Sequence, residues 1–366
     1  MRQIIVTTVL LSVLAVPAIH SEEKASFNSE HLLYLWRLQE VEKLSPVEHD
    51  YRHDFLPATV LCSSTPLPEG REFQYDENAI WGARIPFDES KETVLKVLDE
   101  LDEDKVPGVS ITWTYDSDVL DRISKMSHLS YLHVFFVSQD HSPVPNDFFE
   151  KVTRIKSLQE FSVLGRGTNN LEMDVPDLSG MSSLRTFVSY IPLSPESFGA
   201  ILAAPNLENM VFMSRNDLKV SDLEKARKLK LLSVASNHTW TFLELASLEN
   251  LTSLALTDYE GRKPIADNDL GKLLMEKEIL DFETTQPDDK TIREISSAKH
   301  LKRLRIIGCR NFDMEGSGLG SVDCLESLAL NGCDFTDALC EVLAKMSNLK
   351  SLYISGGPTE ISINGN

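Results

Sequence analysis

The chain has 366 residues, with 56 acidic side chains against 36 basic ones and a formal net charge of −20. A field of that sign repels nucleic-acid phosphates and anionic lipid headgroups, so no nucleic acid is expected as a partner; solubility and encounters with basic or neutral partners are favoured. With 42% hydrophobic residues and no low-complexity tract, the composition is that of a folded protein and excludes wholesale disorder.

In chain order, residues 1–21 read as a secretory signal peptide. Arg2 supplies a short positive start, residues 4–16 are apolar apart from Thr7, Thr8 and Ser12, and small residues follow at Ala18 and Ser21. The run is too short for a comfortable bilayer span and no later stretch is long and apolar enough. The mature chain is therefore expected to carry no integral membrane segment and to be secreted, periplasmic or held in the cell envelope.

Residues 31–43 are expected to form an amphipathic helix with Leu32, Leu35, Trp36 and Leu38 inward. Residues 45–71 are richer in proline and polar side chains. Within them His49 and His53 lie four apart, each beside an aspartate, a spacing that brings both rings to one metal on a helix. Pro46 and Pro57 flank that stretch and no glutamate sits between the histidines, which weakens the metal reading. Residues 90–101 read as a helix capped by Ser90, with Val94, Val97, Leu98 and Leu101 on one face. Together residues 22–105 are assigned to an N-terminal helical capping region that shields the first strand's edge.

From residue 106 a pattern of apolar, two variable, apolar, one variable, apolar recurs. Clear copies are Leu229-x-x-Leu232-x-Val234, Leu251-x-x-Leu254-x-Leu256, Leu301-x-x-Leu304-x-Ile306, Leu325-x-x-Leu328-x-Leu330 and Leu349-x-x-Leu352-x-Ile354. Weaker copies start at Val106, Leu129, Leu158, Leu184, Leu207 and Lys277. The intervals are 23, 29, 26, 23, 22, 22, 26, 24, 24 and 24 residues, a regularity that chance does not hold across ten steps. Asn237, Cys309 and Cys333 occupy the ninth position of their copies, where a side chain can bond backbone groups left unpaired as the chain turns.

This L-x-x-L-x-L-x-x-N/C core resembles the leucine-rich-repeat superfamily over residues 106–366, in about eleven units. The resemblance implies an α/β solenoid, a horseshoe with parallel strands on its concave face and short helices on its convex face. Residues 335–339, following Cys333, resemble the cysteine-containing subtype. Lys277, a charge at a first core position, is expected to make the solenoid irregular there. The five cysteines (Cys62, Cys309, Cys324, Cys333 and Cys340) form neither a disulfide framework nor a CxxC knuckle. Return helices are expected after capping residues at Asp116 or Ser117, Asn146, Ser194 with Pro195 at the first helical position, Ser221, Asp288 and Thr336.

In each unit the second, fourth and sixth residues after the first apolar one should face the concave side. The sixth-residue row reads Thr112, Phe135, Leu164, Tyr190, Met213, Ala235, Thr257, Glu283, Ile307, Asn331 and Ser355. Its early part, Phe135, Leu164, Tyr190 and Met213, has the composition of a binding hot spot, with Tyr131 and His133 in neighbouring rows. The alternative is that the N-terminal region or a long loop covers this stripe. Asp281 and Glu283 lie one rung from Arg303 and Arg305, so cross-strand ion pairs are expected.

Other motifs are bland. The loop from Gly165 to Asn170 lacks the spacing of a phosphate cradle. The sequons at Asn237 and Asn250 read as coincidence, because a sugar on a buried ladder asparagine would break the solenoid. No linear nucleophile–base, kinase or nucleotide motif is present. The expected function is a non-catalytic recognition scaffold that binds a protein or peptide, with no cofactor. Two alternatives stand: an envelope protein that self-associates, and a hydrolase or metal enzyme built by residues 22–105. The oligomeric state is left open.

Overall fold

A computed structural model describes five strands between residues 24 and 85, then residues 90–364 apart from segments 114–116, 138–146, 167–171, 221–222, 258–263, 267–268, 309–317, 333–336 and 356–360. The signal segment, His49, His53, Cys309, Cys333 and most of the 165–170 loop lie outside the described residues.

Early strands are β1 (Lys24–Ser26), β2 (Tyr34–Leu38), β3 (Cys62–Pro66), β4 (Glu72–Gln74) and β5 (Trp81–Ile85). The repeat strands follow as β6 (Gly108–Trp113), β7 (Tyr131–Val137), β8 (Glu160–Arg166), β9 (Thr186–Ser189), β10 (Asn209–Met213), β11 (Leu231–Ala235) and β12 (Ser253–Thr257). The last are β13 (Asp281–Thr285), β14 (Arg303–Ile307), β15 (Ser327–Asn331), β16 (Ser351–Ser355) and β17 (Ile361–Asn364). All but β1 and β4 form one sheet, in which β5 through β16 run parallel in chain order. Between them lie short helices: α1 (Lys91–Glu103), α2 (Ser117–Ile123), α3 (Phe148–Val152), α4 (Pro195–Leu202), α5 (Phe242–Ala246), α6 (Asp269–Glu276), α7 (Asp289–Ile295) and α8 (Asp337–Leu343). This is the leucine-rich-repeat solenoid that the motif implied, strands on one face and helices on the other.

One continuous core fills the space between sheet and helices. Leu129, Leu132 and Val134 of one unit are fully buried, and so are their counterparts Leu251, Leu254 and Leu256 further on. No single unit can bury such a stripe, so each rung is held by its neighbours. Aromatic side chains thicken the early core: Phe148 packs edge-on against Phe136 and Phe149, and Phe161 stacks on towards Phe187. The helices start as the caps suggested. Ser90 accepts from the Thr93 amide, Asp288 from the Thr291 amide, and Pro195 takes the first helical position of α4. Ahead of α3 the cap is Asp147, one residue beyond Asn146, and after Ser221 only a 3-10 turn forms, at Leu223–Lys225.

Three expectations need correction. The helix over residues 31–43 does not form across its middle. Tyr34–Leu38 is a strand that pairs antiparallel with β3 and β5, as its alternating and aromatic residues favour once a sheet edge is there to pair with. The parallel array also begins one strand before residue 106. In β5, Ala83 and Ile85 sit in register with Val109 and Ile111 and are buried. The small Ala83 and the adjacent Gly82 hid that strand's pattern. Gly82 is required, because a Cβ there would lie 2.4 Å from the Gly108 carbonyl oxygen.

The third correction concerns Lys277. Phe282 pairs with Leu254 and Thr284 with Leu256, so the unit reads Ile279-x-x-Phe282-x-Thr284. Lys277 precedes the unit and occupies no core position. Its ammonium donates to the carbonyls of Ala246 at 3.2 Å and Leu248 at 3.1 Å, closing the end of α5. The two-residue slip keeps Asp281 and Glu283 on the same sheet face. It moves Glu283 to the fourth-residue row and puts Thr285 in the sixth.

At the far end β17 turns back antiparallel on β16 and covers the last parallel edge.

Candidate functional site: the helix-free face of the sheet

Alternation along each strand sends every second side chain away from the helices. The six residues singled out in the sequence come to one region of that face. Phe135 and Leu164 are in register on β7 and β8, and Tyr131 faces Glu160 across the same pair. Tyr190 follows β9, its amide donating to the Val163 carbonyl at 2.9 Å, and Met213 ends β10. Phe135, Leu164, Tyr190, Met213 and Tyr131 are partly buried, so each still shows surface.

His133 is placed differently. It is 3% exposed, and its Nε2 lies 2.9 Å from Glu160 Oε1, itself 6% exposed. In register with it on β8 is Ser162, fully buried, with no hydrogen-bond partner for its Oγ. Serine, histidine and carboxylate thus share adjacent rungs. However, the serine makes no bond to the imidazole and offers no surface to a substrate, so this is not the geometry of an activated nucleophile. The trio forms a buried floor beneath the partly exposed stripe. Tyr131 flanks it, its phenol pushed up by burial and then by the Glu160 charge.

Towards the C-terminus the same face turns ionic. Arg303 grips Asp281 through Nε and through Nη2, the latter at 2.7 Å from Oδ2. Arg305 Nη1 lies 3.5 Å from Glu283 Oε2, and with the Asn331 side-chain amide turned oxygen-inward its Oδ1 accepts from Arg305 Nη2 at 2.9 Å. These are the cross-strand pairs the sequence suggested. Between the two regions the side chains are small: Ser233, Ala235, Ala255 and Thr257. Tyr190 and Glu283 nevertheless line one common recess with them. Four strand steps of about 4.8 Å would put their backbones some 19 Å apart on a flat sheet. Inward curvature and the reach of both side chains close that span.

Two ladders were missed in the sequence. Asn206 Nδ2 donates to the Ser182 carbonyl at 2.6 Å and Asn348 Nδ2 to the Asp323 carbonyl at 2.6 Å; Asn250 makes the equivalent bond to Arg227. Each asparagine stands immediately before the first apolar residue of its unit, a phase distinct from the ninth position. Asn237 does bond a turn carbonyl, that of Arg215 at 2.8 Å. Both sequon asparagines thus spend their side-chain amides on the backbone. The second ladder is ionic: Arg185, Glu208 and Lys230 alternate along the rim, as do Lys302, Glu326 and Lys350.

Among the described residues no group of three or more His, Cys, Asp or Glu could hold a metal, and no helix is long and apolar enough to cross a bilayer. No family model and no curated protein matches the chain. Solved structures do. An internalin from Listeria monocytogenes superposes with a TM-score of 0.34 at 14% identity, over 73% of this chain and 94% of that one. The TLR13–ssRNA13 complex gives 0.34 at 15% identity, over 74% of this chain; the chain spans about half of that protein, 49%. At such identities and superpositions these likenesses bear on neither partner nor activity.

Proposed function

We propose that the protein is an exported, non-catalytic recognition scaffold that binds a protein or peptide partner on the helix-free face, through Phe135, Leu164, Tyr190, Met213 and Tyr131. One observation carries the reading: four consecutive strands present large apolar side chains, partly buried and in line, on a sheet that its neighbours hold rigid. Aromatic and methionine side chains set in a firm surface are what binding hot spots are made of. Completing their burial against a partner contributes several kcal/mol, at up to roughly 1.5–3 kcal/mol each. His133 serves from below, holding Glu160 and the β7–β8 rungs.

Affinity capture from envelope and medium fractions tests this. The baits are the mature protein and a Tyr190→Glu/Met213→Glu variant whose circular dichroism matches wild type. A partner retained by the wild type and lost by the variant is expected. Equal retention by both would remove the helix-free face as the contact surface.

A further inference from the structure

We infer that the C-terminal end of the solenoid is an interface between two copies of this chain, in which β17 pairs antiparallel with β17 of the second copy. This goes beyond the binding-face reading and uses none of its residues. The large sheet has two terminal strands, β3 and β17. A terminal strand offers a row of backbone N–H and C=O groups to another chain unless something blocks it. In β3 a block is present: Pro66 lies in the strand, opposite Tyr34, and has no N–H to give. In contrast, β17 reads Ile361-Ser362-Ile363-Asn364, with no proline and no charge. Among the described residues no strand pairs with its outer edge.

The core at that end is incomplete as well. In the preceding unit Leu325 and Leu328 are each 1% exposed. Their counterparts in the last unit, Leu349 and Leu352, are only partly buried, and so is Leu343 at the end of α8. Strand β17 therefore covers the parallel edge of β16 without completing the burial of the leucines behind it. A repeat unit reaches full burial only between two neighbours. The hydrocarbon left open here favours an apolar neighbour on the outer side.

A second copy fits because the edge is self-complementary. A two-fold axis along the sheet normal sets two β17 strands antiparallel and keeps like faces together. Ile361 and Ile363 stand in register with the core residues Ile354 and Leu352, and Ser362 and Asn364 with Tyr353 and Ser351 of the other face. With Ser362 on the axis, Ile361 of one copy comes opposite Ile363 of the other, and the two cores lie on one side of a continuous sheet. Charge does not oppose the contact. The whole chain carries −20, but residues 337–366 hold three acids (Asp337, Glu341 and Glu360) against two bases (Lys345 and Lys350), a local net of −1. Strands β11 to β16 separate this edge from Met213, so the dimer leaves the apolar stripe open.

Sedimentation velocity of the mature protein at rising concentration reads the association, and a reversible dimer is expected. Ser362→Lys sets two ammonium groups opposite each other on the axis and should weaken the dimer roughly fivefold or more. Ser362→Glu should do the same with two carboxylates. Mixing the two variants should restore association as a heterodimer, because opposite charges then face each other; a loss of fold cannot produce that recovery. Leu243→Lys, on the helical side where the native side chain is exposed, should leave the dimer unchanged. A monomer at every concentration, a dimer indifferent to both Ser362 variants, or a mixture no tighter than either variant alone would overturn the inference. So would a dimer lost with Leu243→Lys and kept with Ser362→Lys.

Discussion

Along the helix-free face, β7 to β10 present partly buried Phe135, Leu164, Tyr190 and Met213 over a floor of buried His133 and Ser162, whereas β13 and β14 present Asp281–Arg303 and Glu283–Arg305. The backbone ladder beneath both is the same. What differs is where the interactions are completed. The ionic half finds partners inside the chain, so a second protein docking there must strip water from pairs already made. The apolar half has its polar pair below the surface and leaves hydrocarbon above it. On the proposed function, the free energy for association is concentrated on β7 to β10.

The comparison is most severely tested at the polar pairs of the two halves. Glu160→Leu leaves His133 buried without its carboxylate hydrogen-bond partner and is expected to cost about 2–3 kcal/mol in urea unfolding. Replacing both, as His133→Leu/Glu160→Leu, should recover most of that loss. If Glu160→Leu alone were neutral, the floor would not hold the apolar half together. Lys277→Met comes next. It removes the ammonium from the carbonyls of Ala246 and Leu248, and a loss of about 1–2 kcal/mol is expected by the same method. Arg303→Ala breaks a pair whose arginine side chain is 58% exposed, and should move stability by no more than about 1 kcal/mol, less in high salt.

The smallest effect is a pH dependence at the rim. Hydrogen bonds from Lys302 and Lys350 lower the Glu326 carboxyl from 4.5 to about 2. A depressed folded value means its contribution is whole above pH 4.5 and fades as pH falls towards 2. Glu326→Gln should therefore narrow the difference from wild type across that window, read as thermal midpoint against pH. A variant whose midpoints run parallel to wild type from pH 5 to pH 2 would contradict the assignment.

Most of the fold was legible because a stacked repeat writes its core into every unit. Leu254, Leu304 and Leu328 recur in phase, and their rungs pair as the spacing implied. The misreadings have local causes. Lys277 reads as a core residue in the sequence because Leu280 and Phe282 lie at the motif's intervals from it, while the pattern starts at Ile279, in a longer unit. Strand β2 looked helical because Leu35, Trp36 and Leu38 also fit one helix face, and the strand depends on pairing with β5, which a local pattern cannot show. In the site, period-two alternation was enough to place Tyr190, Met213, Asp281 and Arg303 on one face. It gave no sign that His133 would be buried against Glu160, nor that Tyr190 and Glu283 would line one recess. Curvature and side-chain reach decide those contacts.

The most direct measurement places a photo-crosslinking phenylalanine analogue at Met213 on the helix-free face or at Leu243 on α5, where the native side chain is 77% exposed. Both variants are illuminated in the source cells and their envelope and medium fractions. The account expects a discrete adduct from position 213 and none of the same mass from position 243. An adduct from position 243 with none from position 213 would contradict it and move the binding surface to the helical side.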